Sequence, residues 1–473
     1  MKPGSVSHPL RVAIIGSGPS GFYAAEHLLK QKDLTVEVDM FDRLPTPFGL
    51  VRGGVAPDHQ KIKTVTKVYE KTAEHPGFRF YGHVEFGRDI TREDIGRLYH
   101  AVIYATGAQT DRQLGVPGED LPGSHPATEF VAWYNGHPDF RDCYFDLSQE
   151  SVAVIGVGNV AMDVARILAR SLDELHQTDI AEHALQALEK SRVRTITIIG
   201  RRGPVQAAFT NPEIKELGEL QDTDVVAFPE DLELDPASEA IIGAGEDKVA
   251  AKNLEYLHEF AARTPEGRKH RIVLRFLFSP VEIIGKNRVE AIRLVRNELI
   301  LDESGRLTAH PTDQFETIPV GLVFRSVGYR GVELPGVPFN HSWGTIPHHA
   351  GRVMTHVPEG ERVVGDYVVG WIKRGPSGVI GTNKPDSIET VNALLEDLEA
   401  GQVLTPATPE RTELEALLKE RGVRWVTFDD WRRLDALEQA IGAEMGRPRV
   451  KLTTVDEMLA ALGARPAAEP VGD

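Results

Sequence analysis

Gly16, Gly18 and Gly21, in the run Gly16-Ser17-Gly18-Pro19-Ser20-Gly21, have the spacing that lets a backbone turn close on a pyrophosphate. The first glycine permits the turn, the second lets the main chain approach the anion, and the third lets a helix pack on a strand. The amides that open the helix then point at the phosphates. Asp42, directly after Phe41 at the end of the next apolar run, stands where an acid accepts adenosine ribose hydroxyls. A second run, Gly156-Val157-Gly158-Asn159-Val160-Ala161, is the GxGxxA variant of the same pattern. After the apolar stretch ending at Ile199 the chain reads Gly200-Arg201-Arg202-Gly203, two guanidiniums where a site for NAD keeps an acid. A planar guanidinium matches a phosphate, so the pair favours the 2′-phosphate of NADP. The plain alternatives are a glycine turn without a ligand and a solvated arginine pair.

These residues need elements to hold them. The pattern predicts a strand over 11–15, a helix over 21–30 and a strand over 36–41, a βαβ opening. The same order returns as a strand over 152–155, a helix over 161–169 and a strand over 195–199, with a helical hairpin inserted over 173–192. Residues 231–250 read as an exposed loop, 268–280 as strand, and the chain beyond about 400 as charged helix, clearest at 414–420 and 434–443. The expected class is α/β with two Rossmann-like dinucleotide-binding domains.

With 473 residues the chain is too long for one ordinary core. A formal charge of −17 opposes binding to nucleic acid and to anionic membrane surfaces. Cys143 is the single cysteine, which leaves no redox dithiol, iron–sulfur cluster or zinc site, and no resident metal is expected. Electron transfer would then use bound cofactors. No apolar stretch reaches about 18 residues, and Gly16, Gly18 and Pro19 interrupt the first one, so neither a membrane span nor a signal segment is expected and a reducing cytoplasm fits.

Several long motifs occur in order: GSGPSGFYAAEHLL from Gly16, TPFGLVRGGVAPDH ending at His59, ATGAQTDRQLGVPGEDLPG from Ala105, VIGVGNVAMDVARIL from Val154, GRRGPVQAAFT from Gly200, RSVGYRG from Arg325 and WIKRGPSGVIGTNK from Trp371. Across nearly its whole length the sequence resembles ferredoxin–NADP reductases of the adrenodoxin-reductase type, bacterial members included. The resemblance implies an FAD-binding domain made of residues 1–110 and 336–473, the latter with a helical tail, and an inserted NADP-binding domain over 111–335. It implies that Ser20, Asp42, Leu50 and Val84 line the FAD site, with Trp371, Gly378, Val379 and Ile380 along the flavin. On the NADP side it carries over Val157 to Val160, Arg201, Arg202, Glu213 and Arg112. The later segment also has independent physical sense, because Gly375, Gly378 and Gly381 around Pro376 make an open backbone able to meet a flat ring. A core tryptophan is the plain reading of Trp371.

The implied reaction is hydride transfer from NADPH to FAD, followed by one-electron steps to a ferredoxin or similar small iron–sulfur protein. Such transfer needs positioning and exclusion of water more than acid–base groups. The resemblance places His59 near the flavin in a network with Glu213 and Asp163, where an imidazole can relay charge. Read plainly, Asp163 complements a helix dipole and Glu213 belongs to a helix start after Asn211-Pro212. An acidic partner requires a local basic face, for which Arg263, Arg268, Lys269, Arg271 and Arg275, with Lys248 and Lys252, are the candidates. An NADPH-dependent quinone or dye reductase or oxidase on the same scaffold, and a non-catalytic nucleotide-binding regulator, are the competing readings. Oligomeric state is left open.

Overall fold

In the computed structural model, which describes residues 3–463, the strand Leu10–Ile15 is buried at every position. A strand buried on both faces belongs inside a parallel sheet covered by helices. It pairs in parallel with Val36–Asp42 and with Ala101–Tyr104. The full sheet has seven strands, in the order His348–His349, Arg352–Met354, Arg362–Val368, Ala101–Tyr104, Leu10–Ile15, Val36–Asp42, Phe78–Gly82. Alternate residues feed two cores. Val12, Ile14, Val38 and Met40 pack on one face with Phe22, Leu28 and Leu394, while Ala13, Ile15, Phe41 and Val102 pack on the other with Ile95 and Ile372.

A second sheet repeats the logic with six strands, in the order Ser124–Pro126, Leu322–Arg325, Ser151–Ile155, Thr195–Ile199, His270–Arg275, Thr223–Ala227. Val152, Val154, Ile196 and Ile198 enter one core; Ala153, Ile155, Ile199 and Val323 enter the other. That second core is closed by Phe278, Ile283, Ile292 and Leu294 from an antiparallel sheet of Phe278–Ile284, Ala291–Leu301 and Leu307–Pro319.

Internal contacts divide the described chain into two compact units: residues 3–55, 59–110 and 329–463, and residues 56–58 and 111–328. The return to the first unit falls at 328/329 rather than 335/336, because the Tyr329 ring packs on Trp371 at 5.4 Å and the Gly331 amide donates to the Gly344 carbonyl. Residues 56–58 group with the second unit because Arg166 and Arg170 hold Asp58.

Residues 231–250 are not a loop. Pro236–Ala244 is a helix, started by the Asp235 carboxylate accepting from the Ala237 and Ser238 amides, with Pro236 in its first turn and left-handed Gly245 at its end. Asp247 caps the following helix, Lys248–Ala262. The expected strand over 268–280 is two strands, His270–Arg275 and Phe278–Ile284, parted where Leu277 takes a φ of 63°. The insertion is the helices Leu172–His176 and Glu182–Glu189, and the C-terminal region contains Arg411–Glu420, Phe428–Glu444 and Val455–Leu462. Among the described residues, no helix is long and apolar enough to cross a membrane.

Candidate functional site

In the first unit the turn after Leu10–Ile15 is shaped by steric limits that differ from glycine to glycine. Gly16 has φ +106°, and a Cβ there would lie 2.5 Å from the Ala105 carbonyl oxygen. A Cβ on Gly18 would meet nothing within 4 Å, so the space over this residue is open to a ligand. Gly21 abuts the Gly16 carbonyl, which lets the helix Pro19–Leu29 start against the strand. Asp42 accepts from the Ser17 amide at 3.1 Å and hydroxyl at 2.5 Å, and from the Leu44 amide at 3.0 Å. Burial pushes its carboxyl up and these hydrogen bonds pull it down. A carboxylate offers about four lone-pair sites, so acceptor capacity is left for ribose hydroxyls. Buried Val84 donates its amide to the Asp42 carbonyl, fixing the strand end that carries the acid.

Two chain segments close on this turn. Phe48, at φ 83°, donates its amide to the Ser17 carbonyl, and a Cβ on Gly49 would lie 3.0 Å from Gly18 Cα. This brings exposed Leu50, first residue of the short helix Leu50–Gly53, beside the Gly18 turn. From the other end of the sequence, Gly370 approaches Ser20 so closely that a Cβ would collide with its hydroxyl. Ser20 Oγ donates to Asn383 Oδ1 at 3.0 Å, and Ser387 Oγ donates to the Ser20 carbonyl at 3.0 Å. Half-buried Trp371 follows; its indole N–H donates to the Ser377 carbonyl at 3.2 Å, tying it to the loop of Gly378, Val379 and Ile380. Gly378 has φ +79° and Val379 is exposed. The Thr106 hydroxyl, next to Ala105 and Gly16, is buried without a partner. An unsatisfied hydroxyl and an open Gly18 beside an acid are what a bound dinucleotide would complete.

In the second unit Gly156 has φ +131° and presses on the Ser326 carbonyl, whereas Gly158 has nothing within 4 Å of its Cβ position. Ala161 replaces the third glycine and is fully buried in the helix Asn159–Ala169. The loop after Thr195–Ile199 is tied to this turn: the Ala208 amide donates to the Val157 carbonyl at 2.8 Å, and the Thr210 amide to Asn159 Oδ1 at 2.9 Å. The Asn159 side chain is therefore spent on the loop, and Val160 is half-buried in the first helical turn. Arg201 and Arg202 are exposed at the loop tip, with no carboxylate in ion-pair reach among the described residues. Exposed Arg112 donates its amide to the Gly328 carbonyl at 2.9 Å, two residues beyond the Ser326 that Gly156 meets.

Arg166, which no nucleotide-binding pattern in the sequence marks, is fully buried and gathers three acids. Its Nε donates to Asp58 at 2.6 Å, Nη1 to Glu213 at 2.9 Å, and Nη2 to Asp163. Arg170 also reaches Asp58, at 2.7 Å. The structure thus joins Asp163 and Glu213 through a guanidinium, and the surrounding carboxylates hold Arg166 well above an arginine's usual range despite burial. His59 follows Asp58 and precedes the helix Gln60–Lys63. The sequence signal for Arg166 is its place one turn after Asp163 in an otherwise mostly apolar helical run.

The basic stretch expected to face a partner is largely neutralised from within. Arg263 pairs with Glu259, Arg268 with Glu266, and Lys252 with Glu255. Arg275 lies between Asp231 and Glu316. Lys248, Lys269 and Arg271 have no carboxylate in reach among the described residues.

Two mainly parallel sheets, the first with antiparallel strands at one edge, each carry a glycine turn at a helix start and define a pyridine-nucleotide oxidoreductase with two dinucleotide-binding units. Residues 10–197 match the model for "Pyridine nucleotide-disulphide oxidoreductase". The chain is 48% identical to the NADPH-ferredoxin reductase FprA of Mycobacterium leprae, over 97% of this chain and 99% of that one. It is 40% identical to the mitochondrial NADPH:adrenodoxin oxidoreductase of Arabidopsis thaliana, over 96% of each. The solved structure of Mycobacterium tuberculosis FprA in complex with NADPH superposes with a TM-score of 0.90, at 48% identity, over 96% of this chain and 100% of that one. The chain belongs to the NADPH-ferredoxin reductases of the adrenodoxin-reductase type.

Proposed function

We propose that the protein is an FAD-dependent oxidoreductase that moves electrons between NADPH and a ferredoxin-type iron–sulfur protein. The observation that carries the nucleotide assignment is the pair of glycine cradles, each open at its second glycine, of which the second is followed by two exposed arginines with no carboxylate in reach among the described residues. When bound, FAD accepts two electrons as hydride and releases them singly. Gly16, Gly18, Ser20, Gly21 and Asp42 bind its adenosine diphosphate end, with Leu50 and Val84 alongside. Trp371, Gly378, Val379 and Ile380 cover the ring and exclude water. Gly156, Val157, Gly158, Asn159 and Val160 cradle the NADPH pyrophosphate, Arg201 and Arg202 take its 2′-phosphate, and Arg112 adds a positive charge.

His59 stands near the flavin, where its imidazole can relay or stabilise charge. Asp163 and Glu213 act as positioning residues: through Arg166 they fix Asp58, the residue before His59. The single cysteine supports a cytoplasmic setting.

The test is an anaerobic titration of the purified protein with NADPH and then NADH, followed at ~450 nm, a flavin band, before adding ferredoxins. Bleaching at lower NADPH than NADH concentration, followed by reoxidation with a ferredoxin, is expected. Bleaching that only quinones or dyes reverse would remove the ferredoxin from the reading, and a protein that shows no flavin after FAD is supplied would overturn it.

A further inference from the structure

A chain of net −17 repels an acidic partner at every approach that lacks a local positive field. Among the described residues, two groups of cations that no carboxylate pairs supply one. The first is the outward face of Gln60–Lys63 and Thr66–Ala73, where Lys61, Lys67 and Lys71 are exposed with no carboxylate in ion-pair reach among the described residues. The second is a cluster of Lys190, Arg192, Arg194, Lys269 and Arg271, equally exposed and equally without a carboxylate partner among the described residues.

We propose that Lys61, Ile62, Thr64, Lys67, Val68 and Lys71 form the docking surface for a small acidic iron–sulfur protein. The inference rests on the ferredoxin reductase function proposed above. Residues 59–73 carry four lysines and one glutamate, Glu70, which is half-buried, so the segment is net positive in a strongly negative chain. Ile62 and Val68 are 45% and 42% exposed among these cations. An apolar centre with a charged rim is the anatomy of a transient protein interface. The inner face of the second helix is already used: Tyr69 is buried and stacks on Phe22 of Pro19–Leu29 at 4.9 Å. The outer face has no such cover.

Chain continuity connects this surface with the cofactor turn of the same unit. Phe48 bonds to Ser17, Gly49 lies on Gly18, and eleven residues after Phe48 the chain reaches His59 and then the first lysine. The second cluster lacks that connection. It sits where Thr195–Ile199 and His270–Arg275 begin, whereas the Gly156 and Gly200 turns lie where their strands end. Nucleotides bind at the carboxyl ends of such strands, so a partner on the arginine cluster is seated at the wrong end of the sheet.

The experiment compares the full FAD-loaded chain with a triple variant, Lys61→Glu, Lys67→Glu and Lys71→Glu, and with a control, Arg192→Glu, Arg194→Glu and Lys269→Glu. Each is assayed with NADPH and an acidic ferredoxin that the unmodified protein reduces, and with ferricyanide as a small acceptor. The lysine variant should raise the KM for ferredoxin about tenfold or more at low ionic strength and flatten its salt dependence. Its ferricyanide rate should stay within about twofold of the unmodified protein, and the control should leave the ferredoxin KM unchanged. An unchanged ferredoxin KM in the lysine variant, or a raised one in the control alone, overturns the surface while the reductase function stands. If the unmodified protein is bleached by NADPH and reduces no ferredoxin, the function and the surface fall together.

Discussion

Replacing Arg166 by methionine removes the guanidinium from three buried acids while keeping much of its volume. Asp58 retains Arg170, at 2.7 Å. Asp163 and Glu213 lose the Arg166 contact, at sites where their side chains are only 12% and 9% exposed. Breaking a buried pair by removing one partner costs about 3–5 kcal/mol, because the remaining charge keeps its desolvation penalty. For a unit of this size each kcal/mol shifts the midpoint by about 2–4 °C, so about 4 kcal/mol lowers Tm by about 8–16 °C. The loss should depend on pH. Without Arg166 the folded state favours protonated carboxyls, binds more protons than the unfolded chain, and so regains stability as pH falls from 8 towards 5. Arg170→Met serves as the control: its contacts are partly exposed and its loss should cost about 1 kcal/mol or less. Urea unfolding at several pH values measures all of this. An Arg166→Met variant within about 1 kcal/mol of the unmodified protein, with the same pH slope, would refute the view that this arginine organises the acids.

Arg201→Ala with Arg202→Ala should raise the KM for NADPH about a hundredfold or more and that for NADH little, since each charge-assisted contact is worth about 1.5–3 kcal/mol; equal effects in steady-state kinetics would remove the 2′-phosphate contact. His59→Ala should keep FAD and slow electron transfer, and an unaltered pH–rate profile would show that its imidazole takes no part. Gly18→Val should fold and fail to retain flavin, while Gly16→Val, forced against the Ala105 carbonyl at positive φ, should lose both fold and flavin; circular dichroism beside the flavin spectrum separates the two. Burial lowers the His100 pKa from 6.5 to about 4, so the folded state binds fewer protons and stability present above pH 6.5 is lost as pH falls towards 4. The loss is at most about 3 kcal/mol, less where solvent screens it, and His100→Gln should flatten that limb of a denaturation series.

Asp111 titrates in the opposite sense. Burial, reinforced by Glu129, raises its carboxyl from 3.8 to about 7, so stability is greatest below pH 4 and declines as pH rises to 7. Asp111→Asn should therefore be the more stable protein at pH 8 and indistinguishable at pH 4.

The sequence by itself determined both glycine turns, the acid at Asp42 and the arginines after Ile199, because local steric demands set them: a positive φ, a close approach and a change of hydrophobic period are written in neighbouring residues. It also determined that strands such as Leu10–Ile15 and Ser151–Ile155 are covered on both faces, since unbroken apolar runs allow little else. The helix Pro236–Ala244 was legible too, in Asp235-Pro236 and Gly245, but a composition rich in Ala, Gly and acids hid the caps.

Tertiary structure alone decided what long-range packing controls. Nothing near Ser20 announces that Gly370 and Asn383 close on it, because their meeting follows from strand order rather than spacing. Arg166 looks like one more helix residue until Asp58 and Glu213 arrive from distant segments to neutralise it. Arg263, Arg268 and Arg275 look like a basic face until Glu259, Glu266 and Asp231 take up their charge. Charge in a sequence is a count of groups, whereas the field a partner meets depends on which of them have found each other, and pairing at a few ångströms is settled only by the fold.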